Sequence, residues 1–337
     1  MKFGLIYDLR NPTQFYQPEN HLYNEFLDEC QMMDELGWDC IWICEHHYDP
    51  DTPWVPSALT LAAAVAARTK RIKIGTGIIV LPQHNPVRVA EAATVLDYVS
   101  NGRFRLGVAN GYRVSEYRAD NISRKERVPR LLEGIEIIQK CWTEDKFSYD
   151  GQFWKITDMQ FAPKPISKPH PPIYIAGGGG PDQNTAQRAG RLGCHVFPGP
   201  SREFGIAYHK ALRENGFDPR QFEFAASSGH LWISEDPEKD WQEIKKYVDV
   251  RTEWYHKEHV ASGQAMEDTS TFQSRQQRGK TTFVDISGAI KHVERVIKDV
   301  PQLTEMAFWA GYPGMPLSQS RKSLEMFAKK VMPKFHQ

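Results

Sequence analysis

The segment Cys40-Ile41-Trp42-Ile43-Cys44-Glu45-His46-His47 runs an apolar strand straight into one carboxylate and two imidazoles. Three roles fit such a strand end. As metal ligands the two histidines are awkward, because adjacent residues of an extended chain point to opposite sides. No Asp or His at the other strand ends obviously completes a ligand set. As packing residues they would leave three ionisable groups in need of solvent or partners. As an acid–base or hydrogen-bonding pair, one imidazole faces the site while Glu45 orients a neighbour. The third role makes Glu45 and one of the two imidazoles the catalytic candidates.

Two glycine-bearing segments follow the same design. Gly75-Thr76-Gly77-Ile78 closes another apolar run, where glycine permits either a simple bend or the close approach of a planar ligand. Gly177-Gly178-Gly179-Gly180-Pro181-Asp182 leaves a third apolar run and enters a helix. Such a loop bares several backbone N–H groups and suits a phosphate, whereas a plain turn needs one or two glycines. G-x-G-x-x-G, Walker and G-x-S-x-G motifs are absent. One bound phosphate monoester, as on a mononucleotide cofactor, is the economical reading.

Elements that place these groups together must bring successive strand ends to one side. Strand patterns fall at 2–8, 39–44, 72–80, 104–109, 172–176, 193–197, 222–233 and 305–310. Helical patterns lie between them. Leu22, Phe26, Cys30, Met33 and Leu36 share one face of a helix over 20–36 that Gly37 stops, and Ser57 is placed to cap a helix over 57–68. Asn85-Pro86 starts the next helix, which ends at Ser100-Asn101-Gly102, and Leu131, Ile135, Ile138 and Trp142 mark a fourth. A hairpin is expected around Asp150-Gly151, a stiff proline-rich connection over 163–172 and a helix over 182–191. Eight strands alternating with helices in one domain predict an α/β TIM barrel with insertions, whose chemistry sits at the carboxyl ends of the strands. Residues 257–286 break the pattern, and the segment reads equally as a mobile lid or a surface insertion.

The 337 residues are 40% hydrophobic and 25% charged, with no net charge. This is ordinary globular composition and gives no sign of a nucleic-acid or anionic-membrane partner. The purest apolar run, 58–67, is about half of a membrane span. The chain enters its first strand directly, with no signal-peptide pattern, and its five cysteines are few and odd in number. A reduced, cytoplasmic protein is expected.

The joint pattern resembles the bacterial-luciferase-like flavin-dependent monooxygenases. The resemblance rests on 75–82 with His84-Asn85-Pro86-Val87-Arg88, Ala90-Glu91, Leu96-Asp97 and Ser100 to Gly107, on Glu45-His46-His47, and on Pro172 to Gly179. It runs from residue 1 to about 200 and returns near 305–311. It implies a TIM barrel that binds reduced FMN at its mouth and takes it from a separate flavin reductase. The flavin would react with oxygen to a C4a-hydroperoxide that oxygenates a small organic substrate. By the same resemblance Gly77-Ile78 is a cis peptide beneath the flavin ring. His46 hydrogen-bonds or shuttles a proton there, and Gly178 and Gly179 hold the phosphate. Asn110, Ala176 and Gly177 complete the expected cofactor contacts. Ala109 and Asn110 stand where light-emitting members carry a cysteine and then an arginine. The reactive thiol and a charged phosphate ligand are therefore missing, and light emission is not expected.

Three rivals remain: a deazaflavin (F420)-dependent oxidoreductase on the same barrel, a non-catalytic flavin-binding subunit, and a metallohydrolase using His46 and His47. Phe15, Tyr16, Trp54, Trp309 and Tyr312 could line an apolar substrate pocket. A homodimer is expected, because Ala62, Ala63, Ala66, Ala90, Ala92 and Ala93 give two helices small faces and the resembling family dimerises through this part of the barrel.

Overall fold

A computed structural model describes residues 1–50, 55–177, 183–261 and 281–336. The barrel strands are β1 (Lys2–Tyr7), β2 (Cys40–Ile43), β3 (Lys73–Thr76), β4 (Phe104–Ala109), β5 (Ile173–Ala176), β6 (His195–Phe197), β7 (Ala225–Ser227) and β8 (Glu305–Trp309). They pair in parallel in the order β7-β8-β1-β2-β3-β4-β5-β6. A parallel bridge from Val196 to Phe224 carries β6 round to the start of β7. The expected TIM barrel is what the chain forms.

Helices follow the strands: α1 (Glu19–Leu36), α2 (Ala58–Arg68), α3 (Pro86–Val99), the short α4 (Val114–Ala119), α5 (Arg127–Thr143), α6 (Asn184–Leu192), α7 (Arg202–Glu214), α8 (Pro237–Ala261), α9 (Ile286–Asp299) and α10 (Leu317–Lys330). Their apolar stripes pack on the outer faces of the strands, with Phe26, Val65, Ala93 and Ile138 fully buried. Gly37 closes α1 at φ +86°, and the Asn85 side chain accepts from the Val87 and Arg88 N–H groups at the start of α3. Ser57 makes no such bond; its hydroxyl turns to Thr60 Oγ1 at 2.8 Å.

Two strands differ from their sequence pattern. The run 72–80 is not continuous: it breaks at a cis Gly77–Ile78 peptide, and Ile79–Val80 resumes pairing with β4. The run 222–233 divides at Gly229, which has φ +77°. Its second half, His230–Ile233, leaves the barrel and pairs in parallel with Thr281–Val284. With α8 these strands build a small cap around Trp232, Trp241, Tyr247 and Phe283. Residues 262–280 of the expected lid lie outside the described residues; its flanks are the end of α8 and the strand Thr281–Val284. The surface hairpin is present, Phe147–Asp150 against Lys155–Met159.

The alanines expected to form a dimer face are largely used inside the chain. Ala62, Ala66, Ala90 and Ala93 are buried, while Val95, Tyr98 and Val99 are the exposed apolar residues of α3.

The barrel axis is filled by a few large groups. Trp42 stacks on Phe197 with ring centroids 4.4 Å apart. Its Nε1 donates to Glu305 Oε1 at 2.7 Å. A Cβ on Gly75 would lie 2.2 Å from the Trp42 ring, so that glycine is what admits the indole. At the closed end, Arg105 pairs with Glu305 at 2.5 Å and with Glu223 at 3.1 Å, and Glu223 also meets Lys2 and Tyr174. Removing Arg105 leaves two carboxylates without their guanidinium. Arg105→Met should cost about 3–5 kcal/mol in denaturant unfolding.

Outside the barrel wall, buried Glu29 takes a hydrogen bond from the Tyr7 hydroxyl at 2.8 Å and one from Arg321 at 3.3 Å. Burial, opposed by Tyr7 and Arg321, lifts its carboxyl from 4.5 to about 7. The folded value lies above the unfolded one. The group's contribution is therefore fully present below pH 4.5 and is lost as pH rises through about 7. Glu29→Gln should flatten the fall in stability over that window, read from unfolding midpoints between pH 4.5 and 8.

Candidate active site

The strand ends meet at one mouth. β2 delivers Cys44 and the Glu45-His46-His47 segment, and Gly77–Ile78 follows β3 beside it. Gly77 N–H donates to the Ile43 carbonyl at 2.7 Å, and Cys44 Sγ donates to the Gly77 carbonyl at 3.0 Å. A Cβ on Gly77 would come within 2.8 Å of Trp42 Cβ. Burial pushes the Cys44 thiol well up, so it is a packing group and not a thiolate.

The three histidines of this region are divided between two carboxylates. Glu45 does not touch the His46 ring in any described contact. Its Oε1 lies 2.8 Å from His84 Nε2 and 3.3 Å from His47 Nε2, and accepts from the Val80 N–H at 3.3 Å. Although burial raises this carboxyl, the His47 and His84 hydrogen bonds bring it down to about 2. His46 Nδ1 instead meets Glu116 Oε1 at 3.0 Å. Glu116 is fully buried on α4 and also accepts from the His47 N–H at 2.9 Å and from Arg113 at 3.3 Å. Against burial, which raises it, those contacts lower its carboxyl, His46 foremost. A carboxylate at Nδ1 favours the tautomer that carries the proton on that nitrogen.

A wall closes over this imidazole. The His46 ring lies 5.7 Å from Tyr112 and 6.5 Å from Trp254 of α8, centroid to centroid. Trp254 Nε1 donates to Asp49 Oδ2 at 2.9 Å. The guanidinium groups of Arg10 and Arg113 each sit 5.3 Å from the Trp254 ring centre. Arg113 also bonds Asp49 at 3.1 Å and the His47 carbonyl at 2.8 Å, while Arg10 pairs with Asp8.

A second cationic group lies past β4. The Asn110 carbonyl accepts from the Tyr117 hydroxyl at 2.5 Å. Burial raises that phenol, and the positive charges of Arg127, Arg124 and Arg130 oppose the rise. Arg124 Nε and Arg127 Nε are buried with no hydrogen-bond partner among the described residues. Ala176 and Gly177 end β5 at the same mouth, Gly177 at φ +102°. Gly178 and Gly179 lie outside the described residues, as does Trp54.

The structure thus brings His46, Gly77, Ile78, Asn110, Ala176 and Gly177 to one end of the barrel, with Glu45 one contact away from His46. Of the expected pocket aromatics, Trp309 packs with Ile78 and Ala176 against the Trp42 cluster inside the barrel, and three others go elsewhere. Phe15 packs on Tyr247 and Tyr312 stacks on His230, both within the cap, and Tyr16 is exposed. Glu116, Arg113, Asp49 and Trp254 were not singled out from the sequence. Only the buried pairing of Glu116 marks it, and no spacing rule links residue 46 to residue 116. His84 was legible as part of the quoted run but without a role.

A luciferase-like monooxygenase family model matches residues 1–293, and the chain belongs to that family. Among curated relatives, the oxygenase component of the flavin-dependent trigonelline monooxygenase of Acinetobacter baylyi is 32% identical over 198 residues, 58% of this chain and 53% of the relative. The F420-dependent glucose-6-phosphate dehydrogenase of Amycolatopsis mediterranei is 34% identical over 169 residues, 48% of each protein. The chain therefore spans about half the length of the curated relatives it matches. A monooxygenase of Streptomyces bottropensis has the same fold, with a TM-score of 0.88 at 21% identity, covering 99% of this chain and 100% of that one. The oxygenating constituent of 3,6-diketocamphane monooxygenase from Pseudomonas putida, solved with FMN, superposes with a TM-score of 0.78 at 18% identity, over 99% and 98% of the two chains.

The pairing of His46 with Glu116 is directly testable. Nitrogen-15 NMR of the neutral imidazole should read a proton on Nδ1 in the wild-type protein. Glu116→Gln should shift it toward an Nε2–H mixture, with the His47 and His84 signals less affected.

Proposed function

We propose that this chain is the oxygenating component of a two-component flavin-dependent monooxygenase, working on a small organic substrate with reduced FMN from a separate reductase. The observation that carries the reading is the His46–Glu116 pair after β2, at the same end of the barrel as the Gly77–Ile78 peptide that follows β3. Those residues suit a flavin mononucleotide. Gly77 offers a position without a side chain for the approach of a planar ring, and Ile78, Asn110, Ala176 and Gly177 border it. The two buried, unpartnered Nε atoms suit an anionic phosphate. Gly178 and Gly179 complete the phosphate loop in this reading. When bound and reduced, the flavin supplies the electrons that activate oxygen.

The chain's own residues then do four things. Glu116 holds the His46 tautomer and ring orientation, so Nε2 can give or take one proton at the reacting oxygen. Glu45 is a positioning residue: by holding His47 and His84 it fixes the loop on which His46 stands. Trp254, pinned between Arg10 and Arg113, limits water at the imidazole. Trp42 sets the depth below which nothing can enter. The FMN-bound diketocamphane enzyme and the trigonelline oxygenase component support this choice of cofactor and reductase. We further propose a cytoplasmic homodimer, with Val95, Tyr98 and Val99 of α3 as the exposed apolar residues such a contact would cover.

A second reading, hydride transfer with coenzyme F420, has support of its own. The Amycolatopsis relative is F420-dependent, and an F420-dependent secondary alcohol dehydrogenase shares the fold with a TM-score of 0.76 at 18% identity. Both readings use the same mouth and the same His46. Anaerobic titration with each reduced cofactor separates them. Saturable binding of reduced FMN, followed by oxygen consumption with delayed release of oxidised flavin, is expected. Oxidation of reduced F420 without oxygen uptake would replace the first reading with the second. His46→Ala should lower turnover by about a hundred-fold to ten-thousand-fold while FMN affinity stays within a few-fold. His47→Ala, the neighbouring control, should lose much less.

A further inference from the structure

Glu45, His47 and His84 converge on one point away from the proton-transfer pair. We propose that they form a binding site for a single divalent transition-metal ion of the zinc type. The donor set is two imidazole nitrogens and one carboxylate oxygen, the ligands such ions prefer, whereas magnesium and calcium favour all-oxygen sites. One ligand atom from each residue lies within 4.8 Å of the other two. Two of the three separations are 2.8 Å, from Glu45 Oε1 to His84 Nε2, and 3.3 Å, from the same oxygen to His47 Nε2. Ligands about 2.0–2.2 Å from a tetrahedral zinc stand about 3.3–3.5 Å apart. The present geometry therefore reaches a metal geometry by side-chain shifts of roughly an ångström or less, without moving a strand.

The ligands also have the placement a site needs. They come from two loops, after β2 and after β3, so an ion would cross-link neighbouring strand ends. Glu45 is buried at 2% side-chain exposure, while His47 and His84 are 18% and 29% exposed. The site is thus anchored on its inner side and open on its outer side, where water could hold a fourth position. His46, the adjacent histidine, is not part of the set, because its Nδ1 is engaged by Glu116. This resolves the difficulty that two successive residues cannot both be ligands: the second imidazole comes from residue 84. The set also borders the proposed active site, since the His47 N–H donates to Glu116 Oε1 at 2.9 Å.

The test needs neither flavin nor substrate, so it stands or falls independently of the proposed oxygenation. The full-length chain, stripped with a chelator, is dialysed against Zn²⁺ or Co²⁺ at micromolar concentration. One equivalent per chain is expected. With Co²⁺ a visible absorption of four- or five-coordinate intensity should appear. His84→Ala and His47→Ala should each weaken binding by at least about 100-fold, beyond the 10- to 100-fold that loss of a supporting partner costs. His84→Gln, which keeps the side-chain volume, guards against a folding defect, and circular dichroism confirms the fold of each variant. His46→Ala should still bind one equivalent. Failure to bind a stoichiometric ion at 100 µM, or undiminished binding in both His84 variants, would overturn the proposal and leave Glu45 as a hydrogen-bonding clamp. Loss of the ion in His46→Ala, with retention in His84→Gln, would likewise overturn it and assign the ligands to the adjacent pair.

Discussion

The Trp42 indole sets the geometry on which the mouth of this barrel depends. It occupies the axis, stacked on Phe197 and hydrogen-bonded through Nε1 to Glu305. Its volume excludes side chains from the neighbouring strand, where a Cβ on Gly75 or Gly77 would lie 2.2 or 2.8 Å from its atoms. The glycines of β3 are therefore a packing requirement first. The consequence for the site is a position without a side chain at Gly77, from which the cis peptide leads to Ile78. Below the indole, the Arg105, Glu305 and Glu223 cluster holds charge in the interior only because each ion has a partner. The charged cluster fills the barrel at the start of the strands, and the Trp42 indole fills the axis above it.

At those ends the decisive fact is a division of labour between two buried carboxylates. Glu45 and Glu116 lie on different elements, and each takes different imidazoles. Glu116 engages the His46 ring and the His47 backbone, whereas Glu45 gathers the His47 and His84 rings. One imidazole ring is thus held by Glu116 and the other two by Glu45. Both carboxyls are held on the ionised side despite burial, because the hydrogen bonds they accept outweigh desolvation. Trp254 adds an aromatic wall whose position is fixed by Asp49 and two guanidinium groups.

The family to which the chain belongs holds both oxygen-using and hydride-transferring relatives. In this chain the strand ends carry an imidazole oriented by a buried carboxylate and, at Gly77, a position whose missing side chain clears Trp42. The cap built on His230–Ile233 and Thr281–Val284 stands apart from the barrel sheet.

The sequence by itself determined the barrel, because alternating strand and helix periodicity is a local property that each segment carries alone. It also marked two strand ends as candidates, since Glu45-His46-His47 and Gly75 to Ile78 are contiguous in the chain. It did not determine who partners whom. Reading Glu45 beside His46 in sequence suggested a pair, but neighbours on an extended chain face apart, and the tertiary fold gave each its own companion. Glu116 reaches His46 from 70 residues away, on a helix that no periodicity ties to β2. The small alanines of α2 and α3 read as an outer face and proved to be inner packing, because a stripe of small residues has no sign for direction. The break of 222–233 at Gly229 was equally invisible, for a parallel partner at 281–284 must be present before half of a strand leaves the barrel. Local pattern fixes what an element is; only long-range contact decides which side chains share a proton, a charge or an ion.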